Sequence, residues 1–320
     1  MSLAIGVDIG GTKIAGALVR EGVVLERARV ETPAEDVDAI AEAVVDVLDQ
    51  LQGAAGDQEV VGAGIACAGF VDREGETILF SPNLAWRDEP LRARLAERTD
   101  LPVRLENDAN AAAWGEFRHG AGREHRTMTL ITVGTGIGGG VVDDGHLLRG
   151  SSGIAAEIGH LRVVRDGLRC GCGNRGCWEQ YASGSALVRE ARELVRSGTP
   201  MAGRLVEACG GDPERLEGTD VTRLAEEGDP AAEELLHELG VWLGEGAASL
   251  AAVLDPGAIV IGGGVSAAGD LLVQPAQRAF RRQLTGRGHR PWPDVLLASL
   301  GNDAGVIGAA TIMSDRARGR

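Results

Sequence analysis

Three cysteines and one histidine in a single stretch have the types and number needed to bind a metal ion. Cys170, Cys172 and Cys177 lie within eight residues, and His160 precedes the first of them by ten. Three thiolates and one imidazole complete a tetrahedral set for Zn²⁺ and leave no position open for water. The alternative, free thiols in a mobile loop, is weaker because three of the chain's five cysteines are concentrated here among glycines. The stretch therefore predicts a structural zinc site, although its spacing differs from that of a zinc finger.

The segment DIGGTK has the composition of a phosphate-binding turn. Asp8 ends a short apolar run, Gly10 and Gly11 follow, and Thr12 and Lys13 add a hydroxyl and a cation. Backbone N–H groups over glycines can approach a phosphate closely, and a carboxylate at a strand end can hold Mg²⁺ through water. The segment joins two predicted strands, whereas a Walker A loop joins a strand to a helix. The alternative is a plain Gly-Gly hairpin turn.

Two further glycine-rich segments could contact a nucleotide. Residues 133–140 contain Thr135 and Gly136 and repeat the strand–glycine–strand pattern. Two opposed glycine turns can bind a polyphosphate from both sides. Residues 259–266 are predicted to form a strand that enters three glycines. That backbone can lie against an adenine or a ribose, or can simply turn.

The segment LENDANAAAWGE places two polar side chains at a predicted strand-to-helix junction. Residues 103–105 are predicted as a strand and residues 108–117 as a helix, so that Asn107 and Asp108 lie at the junction. Polar side chains there project into a cleft, where a carboxylate can act as a general base. The alternative is an ordinary helix N-cap, a position that Asn and Asp commonly occupy.

These segments together resemble the ROK family, which includes sugar kinases and sugar-responsive repressors. The resemblance rests on Glu-x-Gly-His followed by Cys-x-Cys-Gly-x-x-Gly-Cys-x-Glu, between Glu157 and Glu179, with DIGGTK, LENDANAAAWGE and IVIGGGVS in the expected order. It covers nearly the whole chain and implies an α/β, actin-like (ribonuclease-H-like) ATPase fold. In that fold two α/β domains surround a cleft, and the zinc knuckle is structural.

The resemblance also implies roles for individual residues. Asp108 would be the general base that takes the proton of a sugar hydroxyl, and Gly263 would contact adenosine. The positions that would hold the sugar hydroxyls are Gly69, Asn83, Asn107, Glu157, His160 and Glu179.

The activity implied by the family is that of an ATP- and Mg²⁺-dependent hexokinase acting on the 6-hydroxyl of D-glucose. Kinases for fructose, mannose or an N-acetylhexosamine share these positions and stay open as alternatives. Polyphosphate is a less favoured donor because the ATP motifs are complete. A repressor of the family would carry a helix-turn-helix ahead of this pattern, whereas Asp8 follows only seven residues. A zinc-stabilised sugar-binding module without catalysis would need a damaged Asp108 or phosphate turn, and both are intact.

Length, charge and hydropathy limit the class of protein further. A chain of 320 residues can bury a large core and fits two domains better than one. The net charge of −15 argues against binding to nucleic acid. No run of about twenty apolar residues is present to span a membrane, and no basic leader precedes the first apolar run. The odd cysteine count fits a reducing cytosol. We therefore expect a cytoplasmic protein, and the family resemblance implies a homodimer or homotetramer.

The apolar pattern places the motifs on alternating strands and helices. The strands are predicted at residues 3–9, 12–19, 23–30, 60–66, 103–105, 127–133, 141–143, 145–148 and 258–261. The helices are predicted at residues 37–51, 108–117, 183–197, 221–227, 231–254, from 267 onward, and 302–314. Like strand–glycine–strand units in the two halves indicate an internal duplication. We place the first domain at residues 1–118, completed by a C-terminal helix within residues 302–320, and the second at residues 119–301.

Overall fold

The computed structural model describes residues 2–82 and 84–319 and alternates between strands and helices. The elements of the first half are β1 Leu3–Ile9, β2 Lys13–Arg20, β3 Val23–Glu31, α1 Val37–Ala55, β4 Val60–Cys67, β5 Phe70–Val71, β6 Ile78–Phe80, β7 Arg87–Glu89, α2 Leu91–Ala96, β8 Val103–Asn107, α3 Asp108–His119, β9 Met128–Val133, β10 Ile137–Asp143 and β11 His146–Leu147. The elements of the second half are α4 Glu179–Ala182, α5 Gly184–Arg196, α6 Gly203–Ala208, α7 Gly218–Glu226, α8 Pro230–Leu254, β12 Ala258–Gly262, α9 Asp270–Gln283, β13 Asp294–Leu297 and α10 Ala304–Ala317.

The first sheet has the strand order β3-β2-β1-β4-β8. β1 pairs antiparallel with β2, and β2 pairs antiparallel with β3, so DIGGTK connects two strands of a hairpin as predicted. β1 also pairs in parallel with β4, and β4 pairs in parallel with β8. This mixed sheet with its helices confirms the α/β class and is consistent with an actin-like ATPase fold.

Two glycines let α10 lie directly on the first sheet. Gly6 of β1 and Gly64 of β4 are opposite each other in the parallel pairing. A Cβ atom at Gly6 would lie 1.8 Å from the carbonyl oxygen of Val306, and one at Gly64 would lie 2.0 Å from that of Ala309. No side chain fits at such distances in a close-packed interior. The glycines therefore bring the C-terminal helix into backbone contact with β1, which carries Asp8, and with β4, which leads to Gly69.

The second sheet has the strand order β11-β10-β9-β12-β13. β10 begins at Ile137, earlier than the strand predicted at residues 141–143, because three glycines form its first half. A Cβ atom at Gly140 would lie 2.4 Å from the Cβ atom of Ala113 in α3. Glycine is needed there for close packing rather than for a turn, so the sequence pattern understated the length of this strand.

Contacts between residues divide the chain into two compact units. The first contains the residues up to Leu130, Gly140–Ala156 and the residues from Ser299 onward, whereas the second contains Ile131–Gly139 and Glu157–Ala298. Residues 119–130 and 140–156 thus lie with the first unit, although the sequence boundary placed them in the second domain. The packing of Gly140 on α3 explains why the second of these segments, residues 140–156, belongs to the first unit.

The second unit is mainly helical. Its α9 begins at Asp270 rather than at residue 267, because Gly264–Ala268 forms a 3-10 helix and Gly269 has a positive φ of 56°. The longest helix in the described part of the chain is α8, which has 25 residues and a largely buried surface. Neither α8 nor any other helix within residues 2–82 and 84–319 is long and apolar enough to cross a membrane.

Candidate functional site

The carboxyl ends of three adjacent parallel strands bring together the first group of candidate residues. Asp8 in β1 lies opposite Ala66 in β4, and Cys67 in β4 lies opposite Asn107 in β8. Burial and the charges of Asp108 and Asp8 raise the pKa of the Cys67 thiol, so both carboxylates lie near it. Open α/β sheets commonly bind ligands at this edge. Two motifs about a hundred residues apart therefore lie at the same edge of the first sheet.

Asn107 is the N-cap of α3, and the cap orients Asp108. The Oδ1 atom of Asn107 accepts a hydrogen bond from the N–H of Asn110 at 3.0 Å, and its Nδ2 atom donates to Oδ1 of Asp108 at 3.1 Å. The same Oδ1 of Asp108 accepts from the N–H of Ala109 at 2.9 Å. A helix N-terminus also favours negative charge. The capping role and the candidate catalytic role thus coexist in neighbouring residues.

Gly69 connects the loop after β4 to this site. Its carbonyl oxygen accepts a hydrogen bond from Nδ2 of Asn107 at 3.1 Å. Its φ is 153°, and a Cβ atom there would lie 2.4 Å from the carbonyl oxygen of Phe80, so the position requires glycine. Asn83, also predicted to contact sugar, lies outside the described residues.

The first glycine turn is held by its own backbone and leaves its polar groups accessible. The N–H of Gly10 donates to the carbonyl of Lys13 at 3.0 Å, and the hydroxyl of Thr32 donates to the carbonyl of Gly10 at 2.8 Å. Gly11, Thr12 and Lys13 are exposed. A fixed turn with an accessible hydroxyl and ammonium can bind a phosphate group.

Asp8 faces the start of α10. A Cβ atom at Gly305, in the first turn of that helix, would lie 3.3 Å from Oδ2 of Asp8. Burial raises the pKa of Asp8 above its usual value, and the nearby positive charge of Lys13 lowers it by a smaller amount. The ionised carboxylate is therefore less stable here than in water. A bound cation would offset this destabilisation.

A neutral side chain at position 8 is expected to stabilise the ligand-free protein. A carboxyl with a raised folded-state pKa contributes stability below its ordinary pKa of about 4, and that contribution is lost as the pH rises through the folded value. Asp8→Asn should therefore give a higher free energy of unfolding in urea at pH 8, and its advantage should shrink toward pH 4. Asp49→Asn, an exposed change on α1, should show no such trend. An Asp8→Asn protein no more stable than the wild type at pH 8 would contradict a raised pKa of Asp8 in the folded protein.

The second glycine turn lies beside the start of α5. The N–H of Gly134 donates to the carbonyl of Gly136 at 3.0 Å, and the N–H of Gly184 donates to the carbonyl of Gly134 at 2.8 Å. Gly263 has a φ of 85°, and a Cβ atom there would lie 2.5 Å from the carbonyl oxygen of Val133. The two glycine segments predicted to contact nucleotide are thus packed against each other.

A cavity of about 710 Å³ opens next to these segments, wholly within the second unit. Its lining includes Thr135 and Gly264 and continues along α5 and the start of α7. Three arginines of α5 that belong to none of the predicted motifs also line it: Arg189, Arg192 and Arg196. The spacing of these arginines on the helix predicted at residues 183–197 was the sequence feature that could have indicated a shared surface. The cavity is large enough for a nucleoside, since ligand pockets typically measure about 300–1,000 Å³.

The predicted zinc ligands converge in space. Ligand atoms of His160, Cys170, Cys172 and Cys177 all lie within 4.8 Å of one another. The Sγ atom of Cys170 is 3.6 Å from Nδ1 of His160, and the Sγ atoms of Cys172 and Cys177 are also 3.6 Å apart. Tetrahedral zinc with bonds of about 2.3 Å to sulfur separates its ligand atoms by about 3.8 Å. The donor set therefore has the composition and the spacing that Zn²⁺ requires.

Two carboxylates adjoin this cluster. Oε1 of Glu179, at the start of α4, lies 3.5 Å from Nδ1 of His160 and accepts a hydrogen bond from Sγ of Cys170 at 2.9 Å. Its Oε2 would lie 2.7 Å from a Cβ atom at Gly136, so it also borders the second glycine turn. Burial raises the pKa of Glu157, the charge of His160 lowers it, and that of Glu179 raises it. The cluster thus has both predicted carboxylates beside it.

Sequence reasoning missed Glu106, which lies next to the junction in the first unit. It is buried, and its Oε1 accepts from Nδ2 of Asn110 at 3.1 Å and from the N–H of Asn107 at 3.3 Å. Its Oε2 accepts from Nε of Arg149 at 2.7 Å. A charged residue within a strand could have indicated a buried ion pair. Its partner, Arg149, could not be identified because it is more than forty residues away in sequence.

Comparison with known proteins identifies the family of the chain. The sequence matches the ROK family over residues 4–316. It is 48% identical over 317 residues to a glucokinase of Streptomyces coelicolor, with 98% of each chain covered. It is 38% identical over 317 residues to a glucokinase of Halalkalibacterium halodurans, with 98% of this chain and 95% of that one covered. A ROK family glucokinase from Streptomyces griseus, solved in complex with glucose and AMPPNP, has a TM-score of 0.87 and 47% identity, covering 98% of this chain and 100% of that one. The chain therefore belongs to the ROK family, as its motifs predicted.

Proposed function

We propose that the protein is an ATP-dependent hexokinase that phosphorylates the 6-hydroxyl of D-glucose, a glucokinase. The observation that carries the proposal is the pairing of Asn107 with Asp108 at the strand edge that also holds Asp8. The full-length similarity to proteins named glucokinase, one of them solved with glucose and AMPPNP, supports glucose and ATP as the substrates.

Asp108 acts as the general base in this proposal. Its carboxylate is oriented by Asn107 and by the N–H of Ala109, so that it can accept the proton of the attacking hydroxyl. General-base catalysis of this kind contributes about 10²–10⁴-fold to the rate. The residues proposed to hold the other hydroxyls are Gly69, Asn83, Asn107, Glu157, His160 and Glu179.

The donor is bound by backbone and by positive charge. Gly10, Gly11, Thr12 and Lys13 form one phosphate turn. Thr135 and Gly136 form the other, and Gly263 borders the adenosine. Asp8 would hold Mg²⁺ through water, since a carboxylate oxygen suits this cation. When bound, Mg²⁺ would neutralise negative charge that develops on the transferred phosphoryl group.

Zn²⁺ has a structural role in this proposal, held by His160, Cys170, Cys172 and Cys177. The compact four-donor set supports this role, because it leaves no coordination position for a reacting water. Nδ1 of His160 is the nitrogen nearest to Sγ of Cys170. Nε2 is then left to contact a sugar hydroxyl, with its direction fixed by the metal. The family resemblance further favours a homodimer or homotetramer.

A coupled assay of ADP release over a small panel of hexoses tests the proposed function. With ATP and Mg²⁺, glucose should give the highest kcat/KM, above mannose, fructose, N-acetylmannosamine and N-acetylglucosamine. Replacing ATP by polyphosphate should lower the rate, because the adenosine contacts are lost. A higher kcat/KM for another hexose would show that this hexose, and not glucose, is the preferred substrate. The absence of ADP release stimulated by any hexose would refute the proposed kinase activity.

A further inference from the structure

A second large cavity lies wholly within the first unit, and its lining, among the described residues, includes none of the proposed sugar or nucleotide positions. Its volume is about 710 Å³, which is within the usual range of about 300–1,000 Å³ for ligand pockets. Its walls come from β8, α3, the β10–β11 hairpin with the residues after it, and α10. Four arginines line it: Arg104, Arg118, Arg149 and Arg316.

The positive charges in this cavity exceed the negative ones. Arg118 is paired with Asp315, which also lines the cavity, and Arg149 is paired with Glu106. The four arginines and these two carboxylates leave two cations uncompensated, Arg104 and Arg316. Among the described residues, no carboxylate lies within ion-pair distance of either. His146 also lines the cavity, and its Nδ1 atom lies 2.9 Å from the carbonyl oxygen of Asp144.

The excess of positive charge in the cavity acts on the guanidinium of Arg104. Burial lowers its pKa, and the charges of Arg149 and Arg316 lower it further, against an opposing effect of Glu106. Its guanidinium donates to the carbonyl of Arg73 at 3.2 Å rather than to a carboxylate. A pocket that gathers like charges in a chain of net charge −15 attracts an anion that relieves their repulsion.

We propose that this cavity binds the phosphate group of a small molecule, as free phosphate or as a phosphate ester. The guanidinium groups offer the forked pairs of donors that match phosphate oxygens. Trp114 and Phe117 form an aromatic wall with ring centroids 5.6 Å apart, and Arg118 lies 5.4 Å from the ring of Trp114. The wall adds an apolar surface for an organic group attached to the phosphate.

Occupancy of the cavity is coupled to the catalytic junction through one ion pair. Nε of Arg149 donates to Glu106 at 2.7 Å, and the other oxygen of Glu106 accepts from the N–H of Asn107. A phosphate that engages Arg149 competes with Glu106 for the guanidinium and shifts the residue that supports Asn107. This coupling, unlike the binding itself, rests on the proposed function.

Calorimetric titration of the full chain, without nucleotide or sugar and at constant ionic strength, tests the site. The probes are inorganic phosphate and phenyl phosphate. Arg104→Gln and Arg316→Gln should each raise Kd about tenfold or more, since a hydrogen bond to a charged group contributes about 1.5–3 kcal/mol. Lys13→Gln, in the phosphate turn, and Arg165→Gln, a 96% exposed side chain, should leave Kd unchanged. Tighter binding of phenyl phosphate would identify an ester as the ligand, and equal binding would identify free phosphate.

Binding that depends on Lys13 and not on the cavity arginines would refute the proposed phosphate site. If Lys13→Gln abolished binding and the two cavity variants did not weaken it, the probes would be binding at the phosphate turn. Absence of binding by either probe at millimolar concentration would also refute the proposal. For the coupling, the better probe should change the KM for glucose in the wild type and not in Arg316→Gln. Binding without that change would retain the site and exclude the coupling.

Discussion

Asp108→Asn is expected to lower kcat for glucose phosphorylation by about 10²–10⁴-fold, the usual effect of removing a general base. The KM for glucose should stay close to that of the wild type, because Asn107 and the other hydroxyl contacts are unchanged. The fold should also be preserved. Asparagine keeps an oxygen that can accept from the N–H of Ala109, the bond that Asp108 makes at the start of α3. Steady-state kinetics by coupled ADP release, together with a thermal melt, measure these effects.

A matched change separates lost chemistry from a weakened helix start. Asp36 caps α1 and accepts from the N–H groups of Asp38 and Ala39, so Asp36→Asn makes the same replacement at another helix N-terminus. It should cost a few tenths of a kcal/mol to about 1 kcal/mol of stability and leave kcat unaltered. If Asp108→Asn kept kcat within about tenfold of the wild type, the assignment of the base would be wrong.

Cys172→Ser is expected to remove zinc, lower stability and raise the KM for glucose together. The side chain itself is not among the proposed sugar contacts. Loss of a structural zinc ligand releases the loop that carries His160, and it loosens Glu157 and Glu179 beside the cluster. Each charged hydrogen bond to a sugar hydroxyl is worth about 1.5–3 kcal/mol, so KM should rise about tenfold or more. Metal content by atomic absorption and KM by coupled assay are measured on the same preparations.

Two further variants make the result specific. Cys209→Ser alters a buried cysteine of the same unit that lies outside the cluster, and it should keep both zinc and KM. Glu179→Gln should weaken glucose binding while zinc content stays at that of the wild type. A Cys172→Ser protein that lost its zinc yet kept the wild-type KM would show that the metal does not position the sugar contacts.

Much of the site could be predicted because its parts are local in sequence. The DIGGTK hairpin, the Asn107–Asp108 junction and the converging cysteines each depend on neighbouring residues, whose types and spacing carry the chemistry. Their relation across the first sheet needed the structure, which pairs β1, β4 and β8 in parallel so that the motifs lie at one edge. The family resemblance added the roles that local pattern left open between a catalytic residue and an ordinary cap.

Features that depend on distant partners were not predictable in the same way. The ion pair of Arg149 with Glu106 joins segments that no periodicity relates. The assignment of residues 140–156 to the first unit depends on close packing of Gly140 against α3, and a glycine in a sequence indicates a turn as readily as a close approach. The start of α9 was placed three residues early because the positive φ of Gly269 is a property of the folded chain.

The glycine contacts between α10 and the first sheet have a consequence for biosynthesis. At Gly6 and Gly64, on one face of β1 and β4, the space of the missing side chains is filled by the backbone of α10. A ribosome adding about 5–20 residues per second needs on the order of ten to thirty seconds to extend the chain from Leu130 to Ser299. Throughout that interval this face of the nascent sheet is uncovered, while the second unit acquires all of its residues. The part of the protein that leaves the ribosome first is therefore the part that completes its folding last.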